Sequence, residues 1–498
     1  MKRIVNALGK LNWGMRPYTV PVLCAATAIA LPAQTFTTLF SFDAGRNVEA
    51  GLVQASNGNL YGTTPGGGAN GHGTVFKITP SGTLTTIYSF CPQSGCTDGT
   101  FANGLVQAAD GNLYGTASEG GANGDGTVFK ITPDGALTIL HTFDGTDGIF
   151  PNGLVQAASG DFYGTTQNGG ANDNPNCSVI SPFAGCATIF KITPSGTLTT
   201  LYSFCSQSNC TDGDLPCQGL FGCTGLVQAT NGDFYGTTVY GGANGDGTVF
   251  KITPSGTLTT LHSFCSLSGC TDGNGPEAGL VQATNGDFYG TTCCGGANGW
   301  GNVFKITPSG TLTTLYSFCS LSGCADGSVP QCGLVQGTDG DLYGTTFEFG
   351  ANGEGGTVFK VTLSGTLTTL YSFCSQSGCT DGSAPYAGLV QDTNGTFYGT
   401  TGYGGADNDG TVFSVSVGLG PFVETQRTAG KVGEVVEMLG TDLTGATTVT
   451  FNGTAAAFTV ASPSLIAARV PAGATSGKIQ VVTPSGTLLS NVPFRVLP

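Results

Sequence analysis

Histidines, cysteines, unrepeated acids and loop aromatics are the residues of this sequence with chemistry to offer. His72, His141 and His262 are far apart and share no spacing with a serine, an acid or one another. They nominate neither a nucleophile–base pair nor a metal site. Five cysteine pairs repeat one spacing: Cys91/Cys96, Cys205/Cys210, Cys265/Cys270, Cys319/Cys324 and Cys374/Cys379. Structural zinc more often uses Cys-x-x-Cys with histidine alongside. These pairs therefore read as local disulfides of an exported chain, each within a loop. Cys177/Cys186 and Cys217/Cys223 are two further candidate pairs, which leaves Cys293, Cys294 and Cys332. Cys294 and Cys332 are expected on one face of the fold, close enough to bridge, with Cys293 as the odd thiol.

Glu119, Glu277, Glu348 and Glu354 stand outside any repeated pattern. They are the only candidates for the acid/base pair that glycoside cleavage needs, and none of them forms a recognisable pair. No catalytic residue is assigned. The loops GGANGDG (241–247) and GGADNDG (404–410) offer oxygen ligands of the kind calcium takes. They lack the regular acidic spacing of an EF-hand loop, and plain turns use the same residues. The strongest binding candidates are aromatic: Tyr240, Trp300, Phe347, Phe349 and Tyr403 sit at variable loop positions among Asn and Asp. Aromatic faces beside polar side chains suit sugar rings, which present apolar C–H faces and hydroxyls.

The elements that position these residues are repeats. The tetrapeptide GLVQ opens copies at Gly51, Gly104, Gly153, Gly225, Gly279, Gly333 and Gly388. Each copy holds four strand-sized pieces: A (LVQA), B (FYGTT or LYGTT), C (TVFKIT) and D (TLTTLYSF). Asn-Gly or Asp-Gly usually separates A from B, and Pro-Ser-Gly or Pro-Asp-Gly separates C from D, as tight turns require. The five cysteine pairs fall in the loop after D. Residues 35–42, TFTTLFSF, are a D piece without A, B or C, and the last copy ends at C, TVFSVSV (411–417). The orphan D is expected to complete the last copy and close a seven-bladed β-propeller over 34–418. Recurring Gln on strand A and Tyr on strand B read as buried hydrogen bonding between blades. The Asp of an Asp-Gly recurring before strand A (Asp98, Asp147, Asp212, Asp272, Asp326, Asp381) reads as a turn cap.

The N-terminus carries Lys2, Arg3, Lys10 and Arg16, then an apolar run to Leu31 and Pro-Ala-Gln. This is the layout of a signal peptide ending at Ala33, and the run is short for a membrane span. Without residues 1–33, twelve basic residues face 31 acidic ones, a net charge of −19. No basic patch exists, which argues against nucleic acid and anionic membranes. Residues 421–498 lack GLVQ and show short alternating strands, the pattern of a small β-sandwich.

The run GLVQATNGDFYGTT…GGANGDGTVFKITPSGTLTTLYSF resembles the GloVer-type tandem repeats of exported bacterial proteins, over about 35–417. That resemblance implies no activity. The tail, through Gly440–Ala446, Val449–Gly453, Val470–Gly473 and Val482–Gly486, resembles an IPT/TIG domain, an immunoglobulin-like fold. That resemblance implies a spacer or binding module. The expected function is a non-enzymatic exported or surface protein whose propeller face meets polysaccharide or another surface protein. A polysaccharide lyase or glycoside hydrolase and a structural envelope or matrix protein are the competing readings.

Overall fold

The computed structural model describes residues 34–43, 48–172, 185–216 and 225–497. The expected signal peptide lies outside these residues. Among them there is no α-helix; the chain is β-sheet linked by turns, with four three-residue 3-10 turns. Among the described residues, no helix is long and apolar enough to cross a membrane.

Between Thr35 and Ser416 the strands form seven four-stranded antiparallel sheets. Six follow chain order, A-B-C-D, as in Val281–Gln282, Phe288–Thr292, Asn302–Ile306 and Leu312–Ser317. The seventh takes A, B and C from Val390–Gln391, Phe397–Thr401 and Thr411–Ser416. Its fourth strand is Thr35–Ser41, which runs antiparallel to Thr411–Ser416 with Thr35 opposite Ser416. The first five residues of strand B are buried in the sheets, as in Phe234–Thr238 and Phe288–Thr292, because the strand lies between two strands and between two sheets. Its recurring glycine is required by packing: a Cβ on Gly290 would stand 2.7 Å from the Phe304 ring.

Each pair of neighbouring sheets encloses its own apolar core. Tyr61, Val75 and Phe90 of the first sheet pack with Leu113, Phe129 and Ile131 of the second. The series closes on itself, since Tyr398 and Val412 of the seventh sheet pack with Leu52, Leu60 and Phe76 of the first.

The strand-A glutamines join the sheets in the same cycle. The side-chain oxygen of Gln107 accepts from Ser56 N–H, that of Gln156 from Ala109, and that of Gln228 from Ala158. Gln282, Gln336 and Gln391 reach Thr230, Thr284 and Thr338. Gln54 completes the cycle at Thr393, at 3.0 Å. The strand-B tyrosines act differently from expectation. Their hydroxyls bond within their own sheet, as Tyr343 does to Asp339 at 2.8 Å. Their rings provide the contact to the next sheet, as Tyr343 does on Phe397 at 4.1 Å.

The five Cys-x4-Cys pairs are disulfide-bonded: Cys91–Cys96, Cys205–Cys210, Cys265–Cys270, Cys319–Cys324 and Cys374–Cys379. They lie in the loop after strand D, as expected, and the structure adds how that loop is shaped. Cys210, Cys270, Cys324 and Cys379 each end a 3-10 turn, in the left-handed region at φ 52°, 50°, 53° and 51°. That bend turns each carbonyl toward the next loop. Cys210 O and Cys379 O accept from Gly242 N–H and Gly405 N–H, at 2.9 and 3.0 Å. Cys324 O accepts from Gly327 N–H at 2.8 Å. Cys210 and Cys324 are buried and Cys379 half-buried, so these bridges are part of the packed fold rather than surface staples.

Cys186 is also disulfide-bonded, whereas Cys177, Cys217 and Cys223 lie outside the described residues. The expected Cys294–Cys332 bridge is not formed. Cys293, Cys294 and Cys332 are free thiols, and the Cys294 sulfur lies 2.8 Å from that of its neighbour Cys293. Cys332 is instead buried, within 3.5 Å of the Pro385 carbonyl.

Residues 421–497 form two further four-stranded sheets and a parallel pair, Ala429–Lys431 with Arg495–Leu497. Val423, Met438, Ile466, Val481 and Phe494 fill the core of this unit. The unit sits on the ring face that carries the A–B turns. Phe422 N–H donates to Thr393 O at 2.9 Å, and Ser464 Oγ donates to Ser56 O at 2.8 Å. Arg495 donates to Thr230 O. These partners belong to the seventh, first and fourth sheets, so the unit straddles the ring axis. Among the described residues, nothing of the C-terminal unit reaches the opposite face, with the B–C and D–A loops.

Candidate functional site

The glycines of GLVQ bring the inner strands together around the axis. A Cβ on Gly388 would meet Gly333 O at 3.0 Å. At the loop face these strands enclose a mouth of about 190 Å³, lined by Gly279, Gly333, Gly388, Gln331, Cys332 and Tyr386. Four residues occupy one position, two before the GLVQ glycine: Glu277, Gln331, Tyr386 and Glu49, in sheets five, six, seven and one. Burial pushes the Glu49 carboxyl up to about 7, and its Oε2 has no hydrogen-bond partner. Burial also raises Glu277, against hydrogen bonds from Cys293 and Gln331.

Tyr386 connects this mouth to a second cavity. That cavity, of about 360 Å³, is lined by Phe347, Glu348, Phe349, Glu354, Tyr403 and Asn408, with Ser383 and Ala384. Phe347 packs on Tyr386 with ring centroids 4.6 Å apart, and Tyr386 meets Tyr403 at 6.1 Å. Trp300, 40% exposed, stands edge-on to Phe349 at 5.6 Å. Four of the five aromatics singled out in the sequence are therefore gathered over sheets five to seven. The fifth, Tyr240, pairs through its backbone with Asp214 in sheet four and is not among the residues lining this cavity.

The backbone bridges give the loop register. Tyr240, Cys294, Glu348 and Tyr403 bridge Asp214, Asn274, Ser328 and Ser383, and so hold one equivalent position in four sheets. The next position is Gly241 (φ 75°), Gly295 (φ 71°) and Gly404 (φ 74°), but in sheet six it is Phe349, at φ 58°. A bulky side chain in the left-handed region is strained by roughly 1–2 kcal/mol, and such strain clusters at functional positions.

Other candidates take structural places. The disulfide cysteines Cys210, Cys324 and Cys379 hold the D–A loops in shape, and none of them lines either cavity. His141 and His262 bond Asp147 and Asp272 at 2.7 and 3.2 Å, where other sheets use Tyr, as Tyr202 does to Asp212 at 2.7 Å. Ser266 also bonds Asp272, at 2.7 Å. Serine and histidine thus share one acid and do not contact each other, which is not a nucleophile–base arrangement. In the turn-forming loops, Asn244 donates to Phe264 O at 2.8 Å, and Asn408 accepts from Gly404 N–H at 3.0 Å. Glu119 is an exposed strand end in sheet two, away from the cavity. Glu348 and Glu354 share the aromatic cavity, a proximity their sequence positions alone did not establish. Sequence reasoning missed Tyr386, Asn408 and Glu49. Alignment of the residue two before GLVQ carries the signal for Tyr386 and Glu49.

The Gloeobacter/Verrucomicrobia repeat family matches residues 27–227 and 223–460, and the chain belongs to this family. No curated protein matches it. Among solved structures it is similar to the extracellular domain assigned to the hybrid two-component system BT4673 of B. thetaiotaomicron. That similarity has a TM-score of 0.48 and 12% identity, over 92% of this chain and 58% of that one. The corresponding BT3049 domain from the same organism gives 0.46 and 12%, over 91% and 53%. This chain therefore spans just over half of each of those two chains. The gluconolactonase XC5397 of Xanthomonas campestris gives 0.40 and 12%, over 79% and 92%.

Proposed function

We propose that this chain is an exported, seven-bladed β-propeller (34–418) with an immunoglobulin-like IPT/TIG domain (421–498), and that its open loop face binds extracellular polysaccharide. The cyclic order of sheets and cores supports the propeller. The two facing sheets of residues 421–497 support the immunoglobulin-like domain. Disulfides, which persist in oxidising compartments, support export. One observation carries the binding reading: a cavity of about 360 Å³ combines Phe347, Phe349 and Tyr403 with Glu348, Glu354 and Asn408. Such a cavity offers stacking surfaces and hydroxyl partners together. The C-terminal domain covers the other face and acts as spacer or docking module.

Glu348 and Glu354 in one cavity favour a second reading, cleavage of the bound polysaccharide, since two carboxyls are the minimum for glycoside hydrolysis. A glycan array with the mature protein, run beside a reducing-sugar release assay, tests both. Binding without release is the expected result. Release abolished by Glu348→Gln or Glu354→Gln establishes the enzyme instead. An array with no ligand refutes the binding reading.

A further inference from the structure

The adjacent cysteines of sheet five lie on the same open face. Cys294 is exposed and occupies the register position of Tyr403 and Glu348. Cys293 is buried, with its sulfur 2.8 Å from that of Cys294 and hydrogen bonded to Glu277. Every Cys-x4-Cys pair is oxidised, while this pair keeps two thiols in contact. We propose that Cys293 and Cys294 are a redox-active vicinal dithiol that exchanges with disulfides and captures soft, thiophilic groups.

The geometry divides the roles. The single Cys293 S–H lies within reach of both Cys294 and Glu277: directed at Cys294 it favours the Cys294 thiolate and keeps Cys293 protonated, and once Cys294 is in the mixed disulfide it turns to Glu277. Cys294 is therefore the attacking sulfur. Its thiolate, having lost its proton to solvent, attacks one sulfur of a disulfide RSSR. A mixed disulfide forms and RS⁻ leaves, taking a proton from water. Cys293 then attacks the Cys294 sulfur and passes its proton to Glu277. The Cys294–SR bond breaks, and the second RS⁻ leaves and is protonated from Glu277. Two protein thiols are oxidised to one disulfide, and RSSR is reduced to two RSH. Adjacent Cα atoms are about 3.8 Å apart across a trans peptide, closer than ordinary bridged cysteines. The ring is strained, and strained exposed disulfides are the readily reduced, labile ones. Gly295, next to Cys294, pairs with Trp300, so closure of the ring reaches the indole through one backbone bridge. This inference does not depend on the polysaccharide reading.

Differential isotopic alkylation with peptide mapping tests it. The full chain is reduced mildly and exposed to excess glutathione disulfide. The expected product links Cys293 to Cys294, leaves Cys332 as a thiol, and reopens at lower dithiothreitol than the Cys-x4-Cys bridges. Phenylarsine oxide is expected to bind the reduced protein at one equivalent and to be lost in Cys294→Ser. Glu277→Gln is expected to slow ring closure and accumulate the mixed disulfide on Cys294. A Cys294–Cys332 linkage overturns the proposal. So does complete alkylation of Cys293 and Cys294 after the glutathione disulfide step, or equal arsenical binding by Cys294→Ser.

Discussion

Phe349 is the residue at which local conformation and proposed function disagree most. Its neighbours in register are glycines, and it keeps the same left-handed backbone at φ 58°. Replacing it with glycine relieves that strain, offset in part by the greater freedom of glycine in the unfolded chain. Phe349→Gly is expected to raise unfolding free energy by up to about 1 kcal/mol and to weaken glycan binding, because Trp300 loses its edge contact. Denaturant unfolding paired with a binding titration checks both. A variant that is less stable and binds normally contradicts the functional reading of this residue.

At the scale of elements, the ring depends on cross-sheet bonds and on one strand supplied from far away in the chain. Gln228→Leu removes the acceptor for Ala158 N–H and the donor to Gly232 O, at 2.8 and 3.2 Å. Because Ala158 is exposed and water can replace its partner, the loss is expected to cost about 0.5–1.5 kcal/mol, measured as a lower denaturation midpoint at unchanged slope. Deleting residues 34–42 leaves one edge of Thr411–Ser416 without its partner strand and removes Phe36, which stacks on Tyr371 at 3.6 Å, and the fully buried Phe42. The loss is expected to exceed the about 3–5 kcal/mol of a single buried Phe→Ala change. A deletion variant with wild-type Tm contradicts ring closure through this strand.

Strand identity, the orphan strand and the glutamine row were legible in the sequence because a repeat prints its turns and its alternation seven times. The pairing of Cys205–Cys210, Cys319–Cys324 and Cys374–Cys379 was legible for the same reason. The 3-10 turns ending at Cys210, Cys324 and Cys379 were not, since three residues are too few to show a period. Val435–Gly440 and Gly486–Leu489 were not read as strands, since each occurs once and no repeat reinforces its pattern. The site was half legible. Aromatic departures from the repeat marked Trp300, Phe347, Phe349 and Tyr403. Tyr240 holds the equivalent loop position in sheet four, and residue type alone does not say which neighbouring loops complete a cavity. Cys293–Cys294 was the alternative to the expected Cys294–Cys332 bridge, because bridging was judged by shared face, while the two sulfurs meet within one loop.

At the scale of the molecule, two acids, one buried and one half-buried, stand where the units meet. Asp392, in the seventh A–B turn, is 2% exposed with Oδ2 unpartnered, and Glu424 of the C-terminal unit lies beside it. Burial pushes each carboxyl up to about 6, with Asp392 adding to the rise at Glu424. Arg427 is turned away, donating to Val435 O at 3.4 Å. Between the ordinary carboxylate values and about pH 6 the folded state binds protons that the unfolded chain has released. Stability from this pair is therefore fully present below about pH 4 and lost as pH rises through about 6. The double variant Asp392→Asn, Glu424→Gln is expected to exceed wild-type stability at pH 7, by on the order of 2 kcal/mol, and to lose that advantage at pH 4. A constant difference at both pH values contradicts the pairing.

The proposed binding face is the one opposite the C-terminal unit. Hydrogen exchange of the full chain, with and without an oligosaccharide chosen from the array, reads both faces in one measurement. Protection is expected in 347–354, 383–386 and 403–408, around the aromatic cavity, with the A–B turns unchanged. The competing surface is another cavity, of about 380 Å³, between the units, lined by Val227, Val281, Val492, Pro493 and Phe494. Protection confined to 227–230, 281–286 and 492–495 would place the ligand there and contradict binding at the open loop face.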